Sequence, residues 1–89
     1  MALKQNQIDK IVSLARSYGA TRVILFGSSV ERPEEARDVD LACDGIPGWK
    51  LYEFGARLEE ELQVPLDVIA LDPPTHFTRH IESKGVVLL

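Results

Sequence analysis

The hydrophobic positions near the N-terminus recur at the spacing of a helix. Between residues 6 and 18, apolar side chains stand at i, i+3, i+4, i+7 and i+10: Ile8, Ile11, Val12, Ala15 and Tyr18. This spacing places them on one stripe of an α-helix. Gly19 follows directly, at a position where a left-handed residue commonly ends a helix. The pattern predicts an amphipathic first helix.

Two strands of different kinds are predicted next. Residues 21–26, TRVILF, are continuously apolar in the centre, which is typical of a strand buried on both faces. Residues 38–43, DVDLAC, alternate instead, so that Asp38 and Asp40 share one face and the apolar residues take the other. A proline and a dense set of charges predict a loop over residues 29–37.

The second half of the chain repeats the alternation of helix and strand. Residues 49–63 predict a second helix, because Leu51, Phe54, Leu58 and Leu62 fall on one face. Residues 65–71, PLDVIAL, predict a third strand that again contains an aspartate, Asp67.

The C-terminal segment predicts a short helix and a last strand. Asp72 and Pro73 are suited to the N-cap and the first turn of a helix that would end near Gly85. The sequence VVLL then closes the chain as a possible edge strand.

These elements predict one α+β domain over residues 1–89. We expect a two-layer arrangement, with a small mixed β-sheet and helices mainly on one face. The strands on either side of the charged loop are neighbours in sequence and should pair antiparallel. The third strand can lie beside them.

Composition narrows the function. The net charge of -4 argues against direct binding of DNA or RNA through a basic surface. The single cysteine, Cys43, cannot form an internal disulfide, which suits a reducing cytoplasm. No segment has the length and apolarity of a signal peptide or a membrane span, so we expect a cytoplasmic protein. A core of this size is marginal, and a partner subunit or a homodimer would stabilise it.

Aspartate is rare in strands, and three of them here point to a metal site. If the third strand lies beside the second, Asp67 joins Asp38 and Asp40 on one face. Carboxylates packed together repel each other, and a divalent cation relieves that repulsion. Mg²⁺ prefers oxygen ligands and is commonly held by one or two carboxylates together with substrate phosphates. Two such ions can assist an in-line displacement at phosphorus.

A turn that follows the first strand supplies the phosphate-binding element. Gly27 lets a phosphate approach the backbone, and the Ser28 hydroxyl can donate to a phosphate oxygen. We assign Gly27, Ser28 and Ser29 to a nucleotide-binding turn. Strand, Gly-Ser, loop, Asp-x-Asp and a distant Asp on a strand together make a workable site for a nucleoside triphosphate.

The residues that form this arrangement resemble a known family. FGSS at 26–29, DVDLAC at 38–43 and LDVIAL at 66–71 look like the motifs of the minimal nucleotidyltransferases, which are small members of the DNA polymerase β-like superfamily. The resemblance covers most of the chain. It implies the polymerase β palm-like fold, with Asp38, Asp40 and Asp67 as metal-binding and catalytic residues.

The resemblance also implies an activity and a partner. Such enzymes transfer a nucleoside monophosphate, here AMP from ATP, with two Mg²⁺ ions. Small stand-alone domains of this kind are similar to antitoxins that modify a tyrosine of a helical HEPN-domain toxin. In relatives, Gly-Ser is often followed by a small residue and then Arg-Gly, whereas this chain has Val30, Glu31 and Arg32.

Two alternatives stay open from the sequence. The domain could be a weakly active or inactive binding module that neutralises its partner by occupying it, since the loop after Ser28 is altered and so short a chain has no obvious base pocket. It could instead modify a small molecule, although relatives that do so carry an added domain.

Several other side chains have simpler interpretations. His76 and His80 are four residues apart, but a zinc site needs more ligands and the sequence has no HExxH pattern, so we expect them at the surface or in a partner contact. We expect Cys43 and Phe54 in the core, and Trp49 or Tyr52 at a subunit interface.

Overall fold

The computed structural model of the protein describes residues 3–89. The elements occur in this order: α1 (Gln5–Ser17), β1 (Arg22–Phe26), α2 (Ser28–Glu31), β2 (Val39–Asp44), α3 (Gly48–Leu62), β3 (Leu66–Ala70), α4 (His76–Lys84) and β4 (Val86–Val87). The helices and strands predicted from periodicity are therefore present. The predicted ends of α1, β1, β2, α3 and β3 each lie within about one residue of the observed ends.

The four strands form one mixed sheet in the order β3-β2-β1-β4. β1 pairs antiparallel with both β2 and β4, and β2 pairs parallel with β3. A parallel pair needs a long connection between its strands, and α3 supplies it. The sheet confirms the predicted antiparallel pairing and the position of the third strand beside the second.

The face of the sheet that packs against α1 and α3 is fully buried. Ile11 of α1 and Phe54 and Leu58 of α3 have no solvent exposure, and they pack against Val39 and Leu41 of β2. Gly19, with φ +93°, ends α1 as predicted. This face confirms the alternation predicted for β2, because Val39, Leu41 and Cys43 all point here. We call it the closed face.

The opposite face is covered only in part, by α4. Ile24 of β1, Ala42 of β2 and Ile81 of α4 form a small second cluster there with Leu71. β1 is thus buried on both faces, as its sequence predicts, while the β2–β3 half of this face carries aspartates. We call this the open face. The two long helices lie on the closed face and α4 lies on the open one.

α4 begins later than the sequence suggested. Thr75, rather than Asp72, is its N-cap: the Thr75 hydroxyl accepts from the Thr78 N–H at 3.1 Å, and the Thr78 hydroxyl accepts from the Thr75 N–H at 2.7 Å. The prediction of an Asp72–Pro73 start was wrong because a second proline, Pro74, follows. A residue that precedes proline is disfavoured in the helical conformation, so Pro73 cannot open the helix.

The segment after β1 also differs from its prediction. Residues 29–37 were expected to be a loop, but Ser28–Glu31 form one helical turn, α2, and the irregular chain begins only at Arg32. The N–H groups of Val30 and Glu31 both donate to the Gly27 carbonyl oxygen, at 3.0 Å each. The charged side chains that suggested a loop are exposed, Glu31 on this turn and the others on the chain that follows it.

The structure confirms the predicted burial of two side chains and does not test the predicted interface position of two others. Cys43 and Phe54 are buried. Trp49 and Tyr52 are 78% and 86% exposed on α3, and their place at a subunit interface stays a prediction. Within residues 3–89, no helix combines the length and the apolarity that crossing a membrane requires.

Candidate active site

Two of the three aspartates lie side by side across neighbouring strands. Asp40 of β2 is in register with Asp67 of β3 on one side and with Phe26 of β1 on the other. Residues in register on adjacent strands point to the same face and have side chains about 5 Å apart. The sheet therefore brings together on the open face two carboxylates that are far apart in the sequence.

Asp38 lies just before β2, and Ser29 fixes the backbone there. Ser29 is buried, and its hydroxyl donates to the Asp38 carbonyl oxygen at 2.8 Å. This bond ties the first turn of α2 to the start of β2. Because the Ser29 hydroxyl is used in this way, it positions Asp38 rather than facing a ligand.

Gly27 places the Gly-Ser turn directly against Asp40. Gly27 has φ +76°, a conformation that favours glycine. A Cβ atom at this position would lie 2.6 Å from Asp40 Oδ2, so no other residue fits without displacing the carboxylate. The turn predicted to bind phosphate and the Asp-x-Asp pair are thus in contact. Ser28 follows as the first residue of α2 and is half-buried.

The charges at the site repel one another. Partial burial, then the charge of Asp67, then that of Asp38, raise the pKa of Asp40 above its ordinary value. Within residues 3–89, no Lys, Arg or His forms an ion pair with any of the three carboxylates. The fold itself therefore leaves a concentration of negative charge uncompensated at this place.

The three side chains do not by themselves converge on one point. Among the residues that the structure describes, no group of three or more His, Cys, Asp or Glu side chains is arranged to hold a metal ion. The donor set nevertheless suits Mg²⁺, since it consists of carboxylate oxygens on a partly exposed surface that lacks a positive neighbour. Mg²⁺ usually completes its coordination with water and substrate phosphates, so it does not require an all-protein cage.

The Ser29 bond and the Phe26–Asp40 pairing were not anticipated from the sequence. Ser29 was assigned to nucleotide binding because it continues the Gly-Ser motif, and only the fold reveals that its hydroxyl faces β2. The signal for Phe26 was available: it ends an apolar strand one residue before Gly27, and an antiparallel partner would place it opposite the second aspartate.

The fold and this site can be compared with known proteins. No family model matches the chain, and no curated protein matches it in sequence. A solved structure provisionally named as a minimal nucleotidyltransferase superposes with a TM-score of 0.73 at 25% identity, over 92% of this chain and 89% of that one. This chain has the minimal nucleotidyltransferase fold.

Two further structures have the same fold and come from toxin–antitoxin complexes. One is a complex of tri-AMPylated Shewanella oneidensis HEPN toxin with MNT antitoxin, similar with a TM-score of 0.76 at 19% identity, over 98% of this chain and 72% of that one. The other is a toxin–antitoxin with AMP-PNP, with a TM-score of 0.78 at 20% identity, over 92% and 72% of the chains. At these identities the likeness is one of fold. The predicted fold class and the resemblance noted from the motifs are confirmed.

Proposed function

We propose that this protein is a Mg²⁺-dependent nucleotidyltransferase that moves AMP from ATP to a hydroxyl of a protein partner and releases pyrophosphate. The observation that carries the proposal is the row formed by Asp40 and Asp67, in contact with the Gly27 turn. A carboxylate pair beside a phosphate-binding turn is the arrangement that phosphoryl chemistry with metal ions needs.

In this proposal, Asp38, Asp40 and Asp67 hold the metal. Bound Mg²⁺ would neutralise charge on the triphosphate and polarise its phosphorus. Asp67 lies exposed on the edge strand β3, where an acceptor can reach it, and we assign to it the uptake of the acceptor hydroxyl proton. Asp40, flanked by Phe26 and Gly27, is the most enclosed of the three and the least free to move.

The turn after β1 would hold the triphosphate. The N–H groups at the start of a helical turn have no intrahelical acceptor, so those of Ser28 and Ser29 are available to phosphate oxygens. The Ser28 hydroxyl adds a third donor. Gly27 lets the phosphate chain come within reach of the Asp40 carboxylate.

For the acceptor we propose a tyrosine of a HEPN-domain partner, which this protein would silence as an antitoxin. The support is the fold shared with the MNT antitoxin of an AMPylated HEPN toxin. The two proteins would be encoded and assembled together in the cytoplasm.

Transfer of label from α-³²P-ATP to the purified partner tests this function. Wild type with Mg²⁺ should label the partner, and Asp40→Asn should lower the rate by more than about 100-fold. Groups that only support a metal ligand already cost about 10- to 100-fold, so a direct ligand should cost more. Asp38→Asn and Asp67→Asn should also fall sharply, and mass spectrometry would identify the modified residue.

Asp44→Asn is the matched control. Asp44 ends the same strand, and its carboxylate lies 3.5 Å from the Arg22 guanidinium, away from the Gly27 turn. Exposed ion pairs contribute about 1 kcal/mol or less, so this variant should fold and transfer like wild type. Full activity of Asp40→Asn, or equal loss in Asp44→Asn, would refute the assignment.

The structure also gives some support to the binding-module alternative. α2 places an acidic residue, Glu31, in the turn that would hold a triphosphate. A module that only occupies its partner would still protect cells when it carries Asp38→Asn and Asp40→Asn. Protection lost while complex formation persists would exclude this alternative.

A further inference from the structure

A small cavity opens between α2 and α4, next to the Gly27 turn. Its volume is about 200 Å³. Phe26 and Gly27 line it from the end of β1 and the turn that follows, Val30 from α2, and Phe77 and Ile81 from α4. We call it the α2–α4 cavity. No ligand has been assigned to it above.

Two aromatic rings shape the cavity. Phe26 and Phe77 meet edge to face, with centroids 5.9 Å apart and planes at 84°. Phe77 is nevertheless 55% exposed, so much of its ring has no protein neighbour. An aromatic ring that is held in place and half uncovered offers a stacking surface for a flat ligand.

Polar groups border this apolar space. His80 and Lys84 of α4 and Glu31 of α2 also line the cavity. A neutral imidazole offers one hydrogen-bond donor and one acceptor, which suits the ring nitrogens and the exocyclic group of a heterocycle. A mostly apolar site with a few polar groups is the usual composition of a ligand pocket.

The cavity shares two residues with the surroundings of the proposed phosphate site. Gly27 lines the cavity and is also the residue whose missing Cβ makes room for Asp40. Phe26 lines the cavity and is the register partner of Asp40. A ligand whose phosphates lie at Gly27 therefore has an aromatic-lined space immediately beside it.

The size of the cavity limits the ligand. Pockets that enclose a whole drug-sized ligand measure about 300–1,000 Å³, and a cavity of about 150 Å³ is enough to hold benzene. A volume of about 200 Å³ thus suits one ring system, with the rest of the molecule outside.

We infer that the α2–α4 cavity is the nucleobase subsite, where a purine stacks on Phe77 and hydrogen bonds with His80. This inference rests on the proposed function, because the triphosphate at Gly27 brings the base to this place. It also supplies the base pocket that so short a chain did not reveal from its sequence.

Two ligands separate base binding from phosphate binding. ATP carries a base and inorganic triphosphate does not, so we would measure the affinity of each, with Mg²⁺, by calorimetry. Phe77→Ala should weaken ATP binding by about 5- to 150-fold, the equivalent of about 1–3 kcal/mol for one base–aromatic stack. Its affinity for triphosphate should not change.

Three variants complete the set. Phe77→Trp keeps an aromatic face and should retain ATP affinity. His80→Ala should lower the preference for ATP over GTP more than it lowers total affinity. Trp49→Ala removes an exposed aromatic side chain from α3 that does not line the cavity, and should leave both affinities unchanged. Thermal unfolding of each variant would verify that it is folded.

A fluorescence signal reports on the cavity directly. The chain has one tryptophan, Trp49, which is exposed on α3. The double variant Trp49→Phe, Phe77→Trp therefore carries its only tryptophan in the cavity. ATP should quench its fluorescence, and triphosphate should not.

The outcomes distinguish this inference from the proposed function. If Phe77→Ala binds ATP as wild type does, or loses both ligands equally, the base lies elsewhere and the inference is overturned, even where label is still transferred. If wild type binds neither ligand with Mg²⁺, the proposed function and the inference fail together. Selective loss of ATP affinity, with quenching by ATP alone, establishes the subsite.

Discussion

The two faces of the sheet differ in what they bury. On the closed face, α1 and α3 cover apolar residues that have almost no solvent exposure, among them Val39, Leu41 and Cys43 of β2. On the open face, the same strand presents Asp40 beside Asp67, and α4 covers only the neighbouring part. One strand, β2, thus contributes Val39, Leu41 and Cys43 to the core on one face and Asp40 to the charged surface on the other.

This difference separates stability from chemistry. The closed face gains stability from apolar burial, and burial there raises the pKa of the Cys43 thiol to about 12, which keeps the thiol protonated and unreactive. The open face carries repelling charges that weaken the fold and that make sense as a site for a cation. We expect substitutions on the closed face to change stability, and substitutions on the open face to change function.

The largest expected effect is on the closed face. Phe54 has no solvent exposure and meets the Tyr18 ring at 5.6 Å between centroids. Phe54→Ala should lower the free energy of unfolding by about 3–5 kcal/mol, as large-to-small core changes do. Urea denaturation followed by circular dichroism would measure it. Tyr52→Ala, exposed on the same helix, should change stability by less than about 0.5 kcal/mol. Similar losses in both variants would contradict the role of the closed face as the core.

On the open face, loss of a charge should stabilise the protein. The raised pKa of Asp40 means that the folded state holds its proton more tightly than the unfolded state. Below the ordinary Asp pKa, about 3.9, both states are protonated and no penalty arises. As the pH rises through the raised pKa, the folded state must ionise and wild type loses stability.

Asp40→Asn removes this penalty. Its melting temperature should equal that of wild type near pH 3 and exceed it increasingly towards about pH 7. Mg²⁺ should reduce this difference in melting temperature by stabilising wild type alone, because a ligand that binds only the folded state raises the stability of that state. Thermal unfolding across pH, with and without Mg²⁺, measures both effects. A variant that is less stable than wild type at neutral pH would show that Asp40 contributes to the fold instead.

The smallest expected effect tests how the two regions are joined. Ser29→Ala removes the hydroxyl that holds the Asp38 carbonyl at 2.8 Å, and should cost about 1 kcal/mol of stability. Since this bond positions Asp38, transfer activity should fall as well. Ser83→Ala removes a similar hydroxyl contact, to the exposed His80 carbonyl, and is the control for stability. Unchanged transfer by Ser29→Ala would mean that the bond serves the fold alone.

Periodicity in the sequence was enough to find most of the fold. The 3.6-residue stripe of α1 and the strict alternation of β2 each have one physical solution, because a stripe must face a core and alternate residues must face opposite ways. These two patterns predicted the closed face. They also predicted that Asp38 and Asp40 lie away from it.

What the sequence could not fix depends on contacts between distant segments. The turn of α2 is stabilised by hydrogen bonds to the Gly27 carbonyl oxygen, whereas the charged residues in this part of the sequence predicted a loop. The start of α4 depends on two prolines and a threonine pair, and the simpler Asp-Pro signal misled. The α2–α4 cavity is lined by residues from β1, α2 and α4, so no single sequence motif could predict it. The metal and nucleotide roles of Asp38, Asp40, Asp67, Gly27 and Ser28 remain predictions, which the transfer assay tests.

The parallel pairing of β2 with β3 has a consequence for how the protein acquires its site during folding. β1 and β2 are antiparallel and close in sequence, so they can associate early, whereas the parallel pairing of β3 with β2 spans the whole of α3. Pairings between distant segments generally form late, because their loop-closure entropy must be overcome first. A folding chain would therefore have Asp40 in place first, and would bring Asp67 beside it only when α3 and β3 have docked.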